Sequence, residues 1–89
     1  MSDEKKQNQA RKIAKLIEQE ARAVRLEIQT ARKDRGLSQE EAASRMAWTV
    51  DVMGNIEKGR REISLPEFIV LARQMGSDPI TMLKKMLIK

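Results

Sequence analysis

Residues 38–59 read Ser38-Gln39-Glu40-Glu41-Ala42-Ala43-Ser44-Arg45-Met46-Ala47-Trp48-Thr49-Val50-Asp51-Val52-Met53-Gly54-Asn55-Ile56-Glu57-Lys58-Gly59. Two start signals and one stop signal lie within this stretch. Ser38 followed three residues later by Glu41 forms a capping box: the hydroxyl caps the Glu41 amide and the carboxylate reaches back. The pattern predicts a short helix ending near Met46 or Ala47, with Ala42, Ala43 and Met46 turned inward. Thr49 is the next N-cap, and Asp51 falls in the first turn, where the helix dipole favours an anion. A second helix is predicted over Val50–Lys58, with Met53 and Ile56 on its buried side and Gly59 as its stop. Two short helices separated by a tight turn therefore sit at the centre of the chain.

Upstream, residues 1–35 contain neither Gly nor Pro and are rich in Ala, Lys, Arg, Glu and Gln, all good helix formers. Ile13, Leu16, Ile17, Ala21, Val24, Ile28 and Ala31 recur in steps of three and four, which puts them on one stripe of a helix. One long helix is predicted from about Gln9 to Arg35, ended by Gly36, with a frayed polar start. Downstream, Ser64-Leu65-Pro66-Glu67 is a second capping box, with Pro tolerated in the first turn. Leu65, Phe68, Leu71, Ala72 and Met75 are expected on that helix's inner face, and Gly76 ends it. Ser77 or Asp78 before Pro79 starts a last helix with apolar Ile80, Leu83, Met86 and Leu87. No stretch alternates with period two, so the expected fold is all-α with five helices.

The chain has 89 residues, which allows one small domain, or one domain with an arm. There is no Cys and no His, which removes disulfides, thiolate chemistry, the usual general base near neutral pH and the usual metal ligands. Tyr is absent too, and no Gly-rich phosphate loop occurs. The carboxylates Glu40, Glu41, Glu57, Glu62 and Glu67 are explained by capping or pairing. An enzyme, a cofactor and a metal site are therefore not expected. No apolar run reaches the roughly 20 residues that span a bilayer, and no signal peptide opens the chain. A cytoplasmic location is expected, with no membrane partner. Eighteen Lys and Arg against thirteen Asp and Glu give a formal charge of +5, which favours a polyanionic partner.

Two short helices with a tight turn are the signature of a helix-turn-helix. Gly36-Leu37-Ser38-Gln39-Glu40-Glu41-Ala42-Ala43 and Asn55-Ile56-Glu57-Lys58-Gly59-Arg60-Arg61 resemble the start and end of that motif in the lambda-repressor/Cro-like, or Xre, family. The spacing between the two segments matches, as do Ile28, Ala31, Ser64-Leu65 and Leu71-Ala72-Arg73-Gln74-Met75-Gly76. The resemblance covers about Val24 to Leu87 and divides the chain into a basic helical arm, residues 1–23, and a DNA-binding domain, residues 24–89. It implies that helix 50–58 enters the major groove of double-stranded DNA. Val50, Asp51, Val52 and Asn55 would then face bases. Gln39, Thr49, Lys58, Arg60 and Arg61 would face phosphates. It also implies a structural ion pair between Arg32 and Glu57.

Several residues depart from the family's pattern. Asn55 can bond adenine bidentately, whereas Val50 and Val52 can only pack on thymine methyls. Asp51 either accepts from cytosine N4 or supports the helix N-terminus. Gly54 either permits close approach of a partner or is a tolerated surface glycine. Trp48 is either a core plug or a residue that stacks on DNA or anchors a partner. The arm is read as an extension of the first helix that packs on a second subunit, in preference to a solvated tail or a strand-following basic arm. The dimer candidates are Ile13 and Ile17 on the arm and Met82, Met86 and Leu87 on the last helix. The expected function is a homodimeric, sequence-specific DNA-binding repressor without a small-molecule domain. The alternative is a protein-interaction module, such as an antitoxin or adaptor, that uses the motif as scaffold.

Overall fold

The computed structural model describes residues 2–88. Five helices follow one another: α1 (Ser2–Asp34), α2 (Gln39–Arg45), α3 (Val50–Lys58), α4 (Leu65–Gln74) and α5 (Pro79–Leu87). There is no strand among the described residues. The expected all-α architecture is the one found. Helix α1 begins at Ser2, earlier than the expected start near Gln9. Nothing in residues 2–9 breaks a helix, and Asp3 and Glu4 in the first turn complement the dipole. At about 1.5 Å per residue, its 33 residues account for the longest dimension of the molecule, 52 Å.

Both expected capping boxes form. Ser38 Oγ accepts from the Glu41 amide at 3.0 Å while Glu41 accepts from the Ser38 amide at 3.1 Å. Ser64 and Glu67 repeat the arrangement at 3.2 and 2.9 Å. Asp78, one of the two expected starts, caps α5.

The ends of α1 to α4 share one closure, in which an amide just past the helix donates to a carbonyl in its last turn. Leu37 bonds to Arg32, Trp48 to Ala43, Arg60 to Asn55 and Ser77 to Ala72, at 2.8 to 3.0 Å. This closure needs a left-handed residue just before the donor. Glycine supplies it three times, and Ala47, at φ 56°, supplies it between α2 and α3. Left-handed backbone costs a residue with a Cβ about 1–2 kcal/mol. Ala47→Gly is therefore expected to stabilise the domain, and Gly54→Ala to do the same for the opposite reason. Gly54 is inside α3 with ordinary helical φ, and a Cβ there would meet only the Gln39 side chain at 3.7 Å. The relief expected at Gly54 is about 0.5–1 kcal/mol. Thermal unfolding midpoints should rise by a few degrees for each variant.

The core is built from Ile28 of α1, Ala42 and Ala43 of α2, Met53 and Ile56 of α3, Leu71 and Ala72 of α4, and Met82 and Met86 of α5, with Leu37, Phe68 and Met75 beside them. Helix α3 packs on α1 and α2, while α5 closes the other side against α1 and α4. Three expectations need correction. Leu65, expected inside, is exposed, as are Ile80 and Leu87. The inner face of α5 is instead Pro79, Met82, Leu83 and Met86. That set has the same three-and-four spacing as the expected one but is turned by about one residue, because Pro79 enters the core at the first turn. Met82 and Met86 are thus core residues, 3% and 7% exposed, and not dimer candidates. Leu87 stays at the surface.

Candidate nucleic-acid interface

One buried network fixes the position of α3. The Arg32 guanidinium on α1 donates to both carboxylate oxygens of Glu57 on α3, at 2.7 and 2.9 Å. Its remaining amino group donates to the Leu37 carbonyl in the α1–α2 turn at 2.9 Å. Gln39, at the start of α2, donates to Glu57 Oε1 at 3.1 Å. Three helices therefore meet on one carboxylate. The side chains of Arg32 and Glu57 are only 9% and 3% exposed, so the pair expected from the sequence is desolvated as well as bidentate. Bidentate Arg–carboxylate geometry fixes orientation as well as distance, and here it fixes the rotation and tilt of α3 against α1.

This network changes the reading of Gln39. Its amide, expected on a phosphate, is turned inward to Glu57. Arg61 is engaged too. It donates to Glu67 Oε2 at 2.9 Å, and its guanidinium lies over the Trp48 ring at 5.2 Å from the centroid. Trp48 is neither fully buried nor free. It follows the left-handed Ala47, rests against the core and is roofed by Arg61. A sequence signal for the Arg61 bond exists in Glu67: its capping box uses one carboxylate oxygen and leaves the second for a cation. Arg25 is a further engaged residue that the sequence pattern does not single out. Its guanidinium lies across Gly59, where a Cβ would come within 2.8 Å of it, and it pairs with Glu18 at 3.1 Å.

What α3 presents outward is a mixed face. Val50, Asp51, Lys58 and Arg60 are exposed, and Val52 and Asn55 are half-buried. Thr49 caps the helix through its oxygen at 3.4 Å from the Val52 amide, which leaves its hydroxyl proton to bond outward. Lys58 and Arg60 form no ion pair among the described residues. No group of acidic residues capable of holding a metal ion occurs among the described residues.

The carboxylates that organise this architecture are held below their ordinary range. For Glu57, burial pushes upward, and the bonds from Arg32 and Gln39 with the Arg32 charge together outweigh it. Glu41, Glu67 and Asp78 are lowered by their capping bonds to Ser38, Ser64, and Thr81 with Ile80, and Arg61 adds to the effect at Glu67. A carboxylate depressed in the folded state contributes stability above its unfolded value, near 4, and loses it as pH falls through the folded value. With no His in the chain, the unfolding midpoint is expected to stay flat from about pH 5.5 to 8 and to fall steeply below about pH 4. Thermal melts across that range check it, and a transition near pH 6 would contradict it.

The chain matches the family model of the helix-turn-helix domain over residues 23–82. No curated protein matches it. Among solved structures it is similar to an XRE-family like protein from Pseudomonas syringae pv. tomato str. DC3000, with a TM-score of 0.78 and 24% identity over 83% of this chain and 90% of that one. That likeness is one of fold, and it agrees with the five helices and with the α2–α3 pair described above. The match spans α2, α3 and the ion pair that joins α3 to α1, and on that basis the chain belongs to the helix-turn-helix domain family.

Proposed function

We propose that the chain is a homodimeric, sequence-specific transcriptional repressor that sets α3 in the major groove of duplex DNA. The observation that carries this reading is the clamp behind α3. A helix held by a desolvated bidentate pair and an amide, with its outer face bare, is an element presented to a partner. The formal charge of +5 and the free cations Lys58 and Arg60 at the end of α3 favour a polyanion. In this reading Asn55, Val50, Val52 and Asp51 meet base edges, and Lys58, Arg60 and the Thr49 hydroxyl meet phosphates. Residues 24–89 form the DNA-binding unit and residues 1–23 an arm. Regulation is by occupancy of a promoter in the cytoplasm, without catalysis, and follows the concentration of the dimer.

The test is selection from randomised duplex DNA at about 100 mM salt. An enriched inverted repeat with half-sites about 34 Å apart is expected, and Asn55→Ala should relax the preference at one base position. The exposed Val50 beside Val52 supports one other reading, a protein partner on this face. Binding to duplex that depends on salt but not on sequence would favour that reading and end the one proposed.

A further inference from the structure

Charge is divided between two sides of α1. Arg11, Lys15, Arg22, Gln29 and Lys33 recur in steps of four and seven, which puts them within about 40° of arc. Glu20, Glu27 and Asp34 recur in steps of seven and lie about 140° round from them. Glu27 and Asp34 border a hollow against Thr81 and Lys85 of α5, so the acidic side is the α5 side. Arg11, Lys15, Arg22 and Lys33 are exposed and form no ion pair among the described residues. Two carboxylates, Glu4 and Glu18, share the basic side, and Glu18 is taken by Arg25.

The contacts of α3 show which way the basic side faces. Going round α1 from Ile28 in the core, Arg32 and then Arg25 come first, and the basic side begins about 40° beyond Arg25. Arg32 holds Glu57 and Arg25 lies across Gly59, so the end of α3 sits between the core and the basic side. The Lys33 charge also helps to hold the Glu57 carboxyl low. Met53 and Ile56 turn the inner face of α3 to the core, and its outer face is therefore turned the way the basic side of α1 is turned. Lys58 and Arg60, on either side of Gly59, join the two surfaces. From Arg25 back to Arg11 the helix runs on for about 21 Å, past the α3–α4 turn.

We propose that Arg11, Lys15 and Arg22 form a second phosphate-contacting surface, which lays the arm along the backbone of the duplex that α3 enters. This inference rests on the reading of α3 as a groove-binding helix and extends the site beyond residues 23–82, the span shared with the family. A cation set against a phosphate releases condensed counterions whatever the base sequence. A preformed helix delivers its cations without the ordering cost that a disordered basic tail pays on binding. The arm thus adds affinity and length of site, while α3 selects the sequence. Ile13, Leu16 and Ile17 lie on the other side of the arm, so this contact does not compete with subunit packing on the apolar stripe.

Two triple variants of the intact chain test it. Arg11→Gln, Lys15→Gln and Arg22→Gln remove three charges from the basic side. Lys6→Gln, Lys84→Gln and Lys85→Gln remove three exposed charges from elsewhere. Glutamine keeps the helix propensity, so helix content by circular dichroism should be unchanged in both. The probes are a duplex carrying the selected site with about one turn, 34 Å, of flanking DNA on each side, and an unrelated duplex of the same length. On both probes the first variant is expected to lower the slope of log affinity against log salt by about 2.7, and the second by less than about half a unit. Trimming the flanking DNA should weaken the wild type and leave the first variant unchanged. Equal slopes for the two variants, or an unchanged slope in the first, overturn the proposal. If the first variant keeps the wild-type slope while Lys58→Ala with Arg60→Ala lowers it, the arm contact fails and the reading of α3 stands. If neither lowers it, both fail together.

Discussion

Glu57→Ala is expected to cost about 3–5 kcal/mol, because it strands the Arg32 guanidinium in a site that is 9% exposed. For a domain of this size the whole stability is of order 5–10 kcal/mol, so the variant should melt tens of degrees lower or fail to fold cooperatively. The reverse substitution is predicted to be milder. An arginine cannot shed its charge, and here it is held above its already high ordinary value by the bond to Glu57, with the desolvation that opposes this outweighed. A carboxylate left alone can protonate. Arg32→Ala should therefore recover stability as the pH is lowered toward 5, while Glu57→Ala should not. In the Arg32→Ala variant burial raises the folded value of Glu57 above the unfolded one, so the stability it contributes is greatest at low pH and is lost as pH rises.

Replacing both residues, as Arg32→Met with Glu57→Leu, tests whether the pair supplies stability or orientation. Apolar replacement of a buried pair is often neutral. Here it leaves the Leu37 carbonyl and the Gln39 amide without their partners. Gln39 is half-exposed and can turn to water. The double variant is expected to be more stable than Glu57→Ala and to fold, but to bind duplex less tightly, since the rotation of α3 is then held only by the packing of Met53 and Ile56. Chemical denaturation and DNA titration on the same samples separate the two effects.

The backbone is more legible in the sequence than the surface. Helix starts are readable because Ser38, Thr49 and Ser64 cap with residues three positions away, and such local bonds are written in nearby letters. The Arg32–Glu57 pair is reached only through family resemblance, since its partners are 25 residues apart. The face of α5 is not decided by spacing, because two apolar sets share one periodicity and only packing against α1 and α4 chooses between them. Gln39 and Arg61 read as outward because donors at a helix start and in a basic run look free. What engages them, Glu57 and Glu67, is brought near by tertiary structure.

That distinction carries the second large effect. The sequence puts Lys58, Arg60 and Arg61 on an equal footing, whereas the structure leaves the first two exposed and holds the third on Glu67 and Trp48. Each phosphate left without its cation should lower the slope of log affinity against log salt by about 0.9. Lys58→Ala with Arg60→Ala is therefore expected to lower it by nearly two, for the selected site and for unrelated duplex alike. Raising salt from about 50 to 200 mM should then weaken the wild type roughly tenfold more than the double variant. Arg61→Ala is expected to change the slope by less than about half a unit, because Arg61 reaches a phosphate only by giving up Glu67. If it instead costs a full unit, Arg61 leaves Glu67 on binding, and Glu67→Gln, which frees it in advance, should then tighten the complex. The salt titrations of these variants thus decide whether the Trp48–Arg61–Glu67 cluster is scaffold or a latch that DNA opens.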